Sequence, residues 1–180
     1  WPGHIAPGIS DTPVSGVDFL PTVCDLLDLP PPAGRTLDGA SFAPLFTGGR
    51  VARAKSLYWH FNRAAGAPKV ALRLGDWKLL ASLDRLQEPR NNSLTAAMQE
   101  DFKKAELTGF ELYDLKNDLG ETRNLASQEP ARLAELQALM RAQYLEVRAE
   151  SPIWPDWQFT GAEGRRIVWP DYVKKKKAKK

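Results

Sequence analysis

The stretch KVALRLGDWKLLAS, residues 69–82, constrains this chain more than any other segment. Two arms of alternating apolar residues meet at Gly75-Asp76, a pair suited to a tight reversal between antiparallel strands. Successive side chains of a strand point to opposite sides, so each arm has one oily face. Leu72, Leu74, Trp77 and Leu79 are expected to be buried, and Arg73 and Lys78 to face solvent. A lone hairpin is marginal in water. The rest of the chain must supply more strands and a cover for the oily face.

Both are visible. SLYWHF (56–61) is rich in aromatics and reads as a strand, and FELYDL (110–115) as another, with Phe110, Leu112 and Leu115 on or near the core. KNDLGE (116–121) follows with turn chemistry: Asn and Asp accept left-handed backbone angles, and Gly120 adopts them freely. The cover is a helix expected from about Glu129 to Ala149, capped by Ser127, with Pro130 in its first turn. Its Leu133, Leu136, Met140, Tyr144 and Val147 recur every three or four residues and so form one inward stripe. A front helix is expected in VDFLPTVCDLL (17–27), with Ser15 or Asp18 as cap and Val17, Leu20, Val23, Cys24 and Leu27 as its apolar stripe. A short helical turn is expected at Ser41 to Phe46. A small antiparallel sheet of about four strands packed by a long C-terminal helix is an α+β fold.

The expected organisation is residues 1–50 as one unit, 51–150 as the α+β body and 151–180 as a tail rich in Trp and Lys. Residues 83–107 are polar and look inserted, with SLTAAMQEDFKKAEL able to form an amphipathic helix. Tryptophans 154, 157 and 169 lie in Pro-rich sequence and are expected to pin the tail through their rings. The chain begins WPGHIAPG without an initiator methionine, so a true N-terminus upstream is expected and the lack of a signal peptide says nothing of localisation.

Charge excludes one class of function. The net charge of +3 invites a nucleic-acid reading, but six lysines sit in the last seven residues, KKKKAKK. Without them the remaining 19 basic residues fall short of the 22 acidic ones, leaving the body at about −3. No nucleic-acid partner is expected of the fold. No apolar run is long enough for a transmembrane helix. A single cysteine, Cys24, forms no internal disulfide and has no CxxC partner, and in its apolar setting it is expected to be a buried, inert thiol.

No catalytic constellation is complete. No phosphate-cradling glycine loop, HExxH, HxH or GxSxG pattern is present, and no carboxylates pair in an apolar setting. The one polar residue singled out as a candidate is His60 in YWHFNR. At the end of an aromatic strand and followed by Asn62 and Arg63, it reads either as a satisfied strand-end histidine or as a contact to an anionic ligand.

Five segments taken in order resemble the sulfatases of the arylsulfatase type. WPGHIAPG resembles the end of their large domain, VSGVDFLPTVCDLLDLP their helix with Asp and Leu-Pro-Thr, and RTLDGASFAPLFTG the segment that follows. ALRLGDWKLL and then FELYDLKNDLGETRNLA resemble the hairpin and terminal strand of their small C-terminal subdomain. Residues 83–107 and the Trp- and Lys-rich end depart from that pattern.

The resemblance implies an alkaline-phosphatase-like enzyme, a sulfuric ester hydrolase, of which this chain is the C-terminal part. Family members use calcium and a formylglycine made from Cys or Ser in a Cys/Ser-x-Pro-x-Arg motif. Cys24 is followed by DLLD and does not match it. No catalytic or metal-binding position is carried onto this chain, which is expected to lack activity and to require a missing N-terminal domain as partner. The implied substrate is a sulfated small molecule or glycan, and the implied location periplasmic, secreted or lysosomal. His60 is the residue expected to touch the substrate's leaving group. Two alternatives remain: a fragment of a related phosphodiester or phosphonate hydrolase, and a stand-alone polyanion-binding module acting through the lysine tail.

Overall fold

The computed structural model describes residues 1–34, 36–64, 67–84 and 95–154, without the side chains of 62–64 and 68. Four strands, β1 (Leu57–Ala64), β2 (Ala67–Leu74), β3 (Trp77–Leu83) and β4 (Leu107–Asp114), form an antiparallel meander in chain order. Three helices accompany them: α1 (Phe19–Leu26), α2 (Ala96–Lys104) and α3 (Pro130–Glu150). The expected α+β architecture is present.

Register makes the two sheet faces unlike. On the inner face Tyr58 and His60 of β1 lie opposite Leu72 and Val70 of β2, which in turn lie opposite Leu79 and Ala81 of β3, and Leu79 faces Leu112 of β4. The outer face carries Arg73 beside Lys78, and Lys69 and Glu111 as an ion pair at 3.2 Å. Gly75 supplies the positive φ of 59° that the β2–β3 reversal needs. Gly109, at φ 59°, sits beside Ser82, where the β3–β4 register shifts between Leu80 and Ser82.

α3 covers the inner face. Leu136, Met140 and Tyr144 are buried against Val70, Leu72, Leu79 and Leu112, with Leu133 packed at the margin. The inward stripe is therefore as expected from Leu133 to Tyr144, whereas Val147 lies past the core, half-buried in the wall of a cleft. Burying a side chain of this size contributes roughly 1.5–3 kcal/mol, so this seam holds the body together. α2 belongs to the same core: the stretch that looks inserted places Phe102 and Ala105 against it. The Thr95 hydroxyl accepts from the Met98 amide at 3.2 Å and starts α2.

Several expectations fail for local reasons. Leu74 is 40% exposed, because it ends β2 beyond the row that α3 covers, whereas Trp77 opposite it is screened by the Arg132 guanidinium 5.6 Å above the ring. Ser127 does not cap α3; Glu129 holds the N-cap position, and the Gln128 and Glu129 amides instead donate to the Leu125 carbonyl. In the turn after β4 the left-handed residue is Glu121, at φ 55°, rather than Gly120. The Asp118 carboxylate holds that turn by accepting from the Thr122 hydroxyl and the Arg123 amide, and the Glu121 carboxylate is anchored by Lys78 at 2.5 Å.

The front helix departs most from expectation. Val17, Leu20, Val23 and Leu27 are 45%, 48%, 48% and 62% exposed, and of the predicted stripe only Cys24 is buried. The face that the chain covers is the polar one. Asp18 accepts from the Ala40 amide, the Thr22 hydroxyl from the Phe42 amide, and Asp25 from the Ser41 hydroxyl. Gly39 makes this approach possible, since a Cβ there would overlap the Val17 carbonyl.

Asp18 is wholly buried and more than a cap. Arg53 grips it in a fork, Nη1 to Oδ1 at 2.6 Å and Nη2 to Oδ2 at 2.7 Å, while the Ser15 amide donates to Oδ2. Burial alone would raise its pKa, but the Arg53 hydrogen bonds, the Ala40 and Ser15 amides and the guanidinium charge together lower it. Arg53→Met leaves that carboxylate buried without its partner and is expected to destabilise by about 3–5 kcal/mol, read from urea unfolding. Because the folded pKa lies below the unfolded value of roughly 4, the contribution of Asp18 is present above that value and lost as pH falls through the folded one. Acid unfolding of the wild-type chain should show this loss, and Asp18→Asn should remove it.

Candidate functional site

His60 lies in mid-strand, not at a strand end, because β1 continues to Ala64 and His60 pairs with Val70. On the inner face its ring meets the Tyr144 ring, centroids 5.7 Å apart. Its Nε2 is buried and has no hydrogen-bond partner among the described residues, and the same holds for the hydroxyl of Tyr58, two residues earlier on the same face. The reading of His60 as a satisfied histidine therefore fails. The side chains of Asn62 and Arg63 lie outside the described residues.

Two unspent polar groups in one seam are an unusual cost, since a buried donor or acceptor without a partner loses about 1–3 kcal/mol. Burial pushes the His60 pKa down, and burial followed by the neighbouring Tyr144 pushes the Tyr58 phenol up. Both groups are held neutral at pH 7. The Tyr144 hydroxyl is used differently, donating to the Ala105 carbonyl at 2.8 Å and so fastening α3 to the end of α2.

His60 opens onto a cleft of about 400 Å³ lined by Gln99, Phe102, Lys103, Arg148, Ser151 and Trp154 among others. Gln99 closes one wall by clamping the Trp154 backbone: its Nε2 donates to the Trp154 carbonyl at 2.9 Å and its Oε1 accepts from the Trp154 amide at 2.8 Å. Trp154 is thus pinned by its backbone, and its indole is 68% exposed, contrary to the expected ring anchor. Tryptophans 157 and 169 and the lysine tail 174–180 lie outside the described residues. Lys103 and Arg148 give the cleft a cationic wall; the Arg148 guanidinium lies 5.3 Å from the Tyr144 ring and donates to the Ala105 carbonyl. Sequence reasoning found His60 but missed these partners, since Lys103 and Arg148 sit on helices 45 residues apart in the chain. The signal that was available is the polar Gln99 on the apolar side of α2.

The described residues do not make a calcium site: no group of three His, Cys, Asp or Glu side chains among them could hold a metal ion. Cys24 is a free thiol buried in α1. No described helix is long and apolar enough to cross a membrane.

The His60 titration has a measurable consequence. Its folded pKa is depressed below the unfolded value of roughly 6.5. Below that value the unfolded chain takes up the proton first, so stability falls as pH drops from about 7.5 towards 5. Urea unfolding at the two pH values should show the loss, and His60→Gln should flatten that part of the profile.

No family model matches the chain. Among curated proteins it is 33% identical over 158 residues to arylsulfatase A of Homo sapiens, covering 85% of the chain and 30% of that protein. It is 30% identical over 165 residues to a sulfatase of Formosa agariphila, covering 86% of the chain and 27% of that protein. The chain therefore spans less than a third of the length of these relatives. In fold it resembles the structure titled Ps i-CgsB, at TM-score 0.59 and 22% identity over 95% of the chain and 33% of that one. It also resembles BT4656, solved in complex with its substrate D-glucosamine-2-N,6-O-disulfate, at TM-score 0.50 and 19% identity over 75% of the chain and 24% of that one. Sequence and fold agree: the chain belongs to the sulfatase family and corresponds to the C-terminal part of its members.

Proposed function

We propose that this chain is the C-terminal subdomain of a hydrolase of sulfate esters, and that it works joined to an N-terminal domain that carries the nucleophile and the calcium ligands. The observation that supports this most is coverage: sulfatases match most of this chain with less than a third of their own length. Sulfated sugars or aryl sulfates are the substrates of this reading. The division at residues 50 and 150 belongs to the same proposal, with 1–50 completing the large domain and 51–150 forming the subdomain.

The bare stripe of α1 supports the missing partner. Leu20 and Val23 of α1, Val17 in the turn before it and Leu27 just after it are exposed, while the polar side chains of this segment are already occupied. Contiguous apolar surface of this kind marks a contact face, and contacts between domains of one chain commonly bury ~600–1,500 Å². The 180-residue chain by itself should self-associate and show no sulfate-ester hydrolysis. Leu20→Glu with Val23→Glu should restore a monomer by light scattering without lowering its melting temperature. A monodisperse wild-type monomer with a sharp, reversible melt would count against the missing domain.

His60 is the residue of this subdomain assigned to the substrate. His60 lines the cleft and its buried Nε2 has no partner among the described residues, which supports a polar contact made when the side chain shifts towards a bound substrate. In the enzyme containing this subdomain and its N-terminal domain, His60→Ala should raise KM for a preferred substrate by about tenfold, the loss of one good hydrogen bond. Unchanged kinetics on sugar and aryl sulfates alike would end the assignment.

A further inference from the structure

The geometry points to the cleft between α2, β1 and the C-terminal end of α3 as a binding site for a small organic anion built on a ring. Lys103 and Arg148 hold its anionic group, and the Trp154 indole lies against its apolar face. The inference rests on the reading above only in taking His60 as a wall of the same cleft.

Volume and chemistry agree on this ligand class. About 400 Å³ suits one or two rings and lies within the usual range for small-molecule sites. Lys103 is half-buried on the last turn of α2 and has no ion-pair partner among the described residues. Arg148 spends one donor on the Ala105 carbonyl, at 3.2 Å, and lies 3.8 Å from the Glu106 carboxylate. Glu106 is 67% exposed, so it screens the guanidinium weakly, and a guanidinium with five donors keeps others to offer. The Ser151 hydroxyl is spent on the Val147 carbonyl and Gln99 on the Trp154 backbone, so these two build the site without supplying ligand contacts. His60 lines the same cleft, and its Nε2, buried just behind the surface, has no partner among the described residues.

Trp154 supplies the requirement for a ring. A large indole is normally turned inward or left on a mobile segment, but here two hydrogen bonds from Gln99 fix its backbone at the rim while the ring stays exposed. A backbone already fixed at the rim leaves only the side-chain rotamer to be ordered when a ligand binds, which lowers the entropy cost. A flat sugar face and an aryl ring satisfy it equally, and the anionic group then falls between two cations.

Ligand-observed saturation-transfer NMR on the 180-residue chain tests this, with glucose 6-sulfate and 4-nitrophenyl sulfate as probes and glucose as the neutral control. Far-UV circular dichroism and the amide spectrum establish that each variant is folded. At least one anionic probe should show saturated ring protons, and glucose should not. Lys103→Gln should weaken binding about tenfold, the loss of one charge-assisted hydrogen bond, whereas Lys103→Arg should retain it. Trp154→Ala should abolish ring saturation in a chain that stays folded. Binding of the sugar alone identifies an acidic saccharide, and of the nitrophenyl ester alone an aryl anion. The inference is overturned if folded wild-type chain saturates neither probe up to about 5 mM, a Kd beyond the weakest useful range. It is equally overturned if glucose binds as well as its sulfate, or if Lys103→Gln and Trp154→Ala bind like wild type. Binding in the cleft with unchanged KM for His60→Ala would defeat the substrate assignment and leave this site standing. The reverse result would do the opposite.

Discussion

Everything in the body of this chain depends on one seam, where Leu136, Met140 and Tyr144 of α3 close over Val70, Leu72, Leu79 and Leu112 of the sheet. A four-stranded meander has one face rich in aliphatic side chains and no means of covering it. A 21-residue helix with a single inward stripe provides the cover. α2 extends the seam at one end through Phe102 and Ala105, and the Tyr144 hydroxyl ties the two helices together at the Ala105 carbonyl. Cleft and core are therefore the same construction seen from two sides. The residues that lock α3 in place also set the floor against which Lys103, Arg148 and Trp154 stand.

The second constraint is electrostatic. A fully buried aspartate survives in the front segment because a guanidinium fork and two backbone amides meet its two oxygens. Such a pair is costly to break and a weak source of net stability when intact. Its work here is positional: Arg53 precedes β1 by four residues and fixes how the front helix leaves the sheet. Lys55 adds a second tie, bridging Asp38 of the loop and Glu146 of α3. With its polar face committed to these contacts, α1 turns its apolar stripe outward.

His60 and Tyr58 differ from the rest of the core in burying polar atoms that have no partner among the described residues. A chain that kept this cost for packing alone could replace either residue with an aliphatic side chain of similar size. His60 stands between core and cleft, with its ring on the Tyr144 ring and its side chain among those lining the cleft.

The hairpin at Gly75-Asp76, the strand ending at Asp114 and the helix stripe from Leu133 to Tyr144 were legible in the sequence, because each follows from a local period or a local turn. Even the family signature belongs largely to this class: its Leu112, Leu115 and Leu125 are buried and its Asp118 and Asn124 side chains hold the turn, whereas Leu119, expected in the core, is exposed at the turn's tip. Other features were not legible. Leu74 and the stripe of α1 are as apolar as their buried neighbours, and whether such residues are covered depends on what lies opposite them in space. Gly120 was the natural left-handed residue, yet Glu121 takes that angle because its carboxylate reaches Lys78 on another strand. Asp18 reads as a cap until Arg53, 35 residues later, is brought beside it. By itself, then, the sequence determined which segments become strands and helices and to which family they belong, since those rest on short-range periodicity and turn chemistry. Tertiary structure alone decided which faces are covered, which charges pair and which residues share the cleft, since these depend on contacts between side chains far apart in the chain.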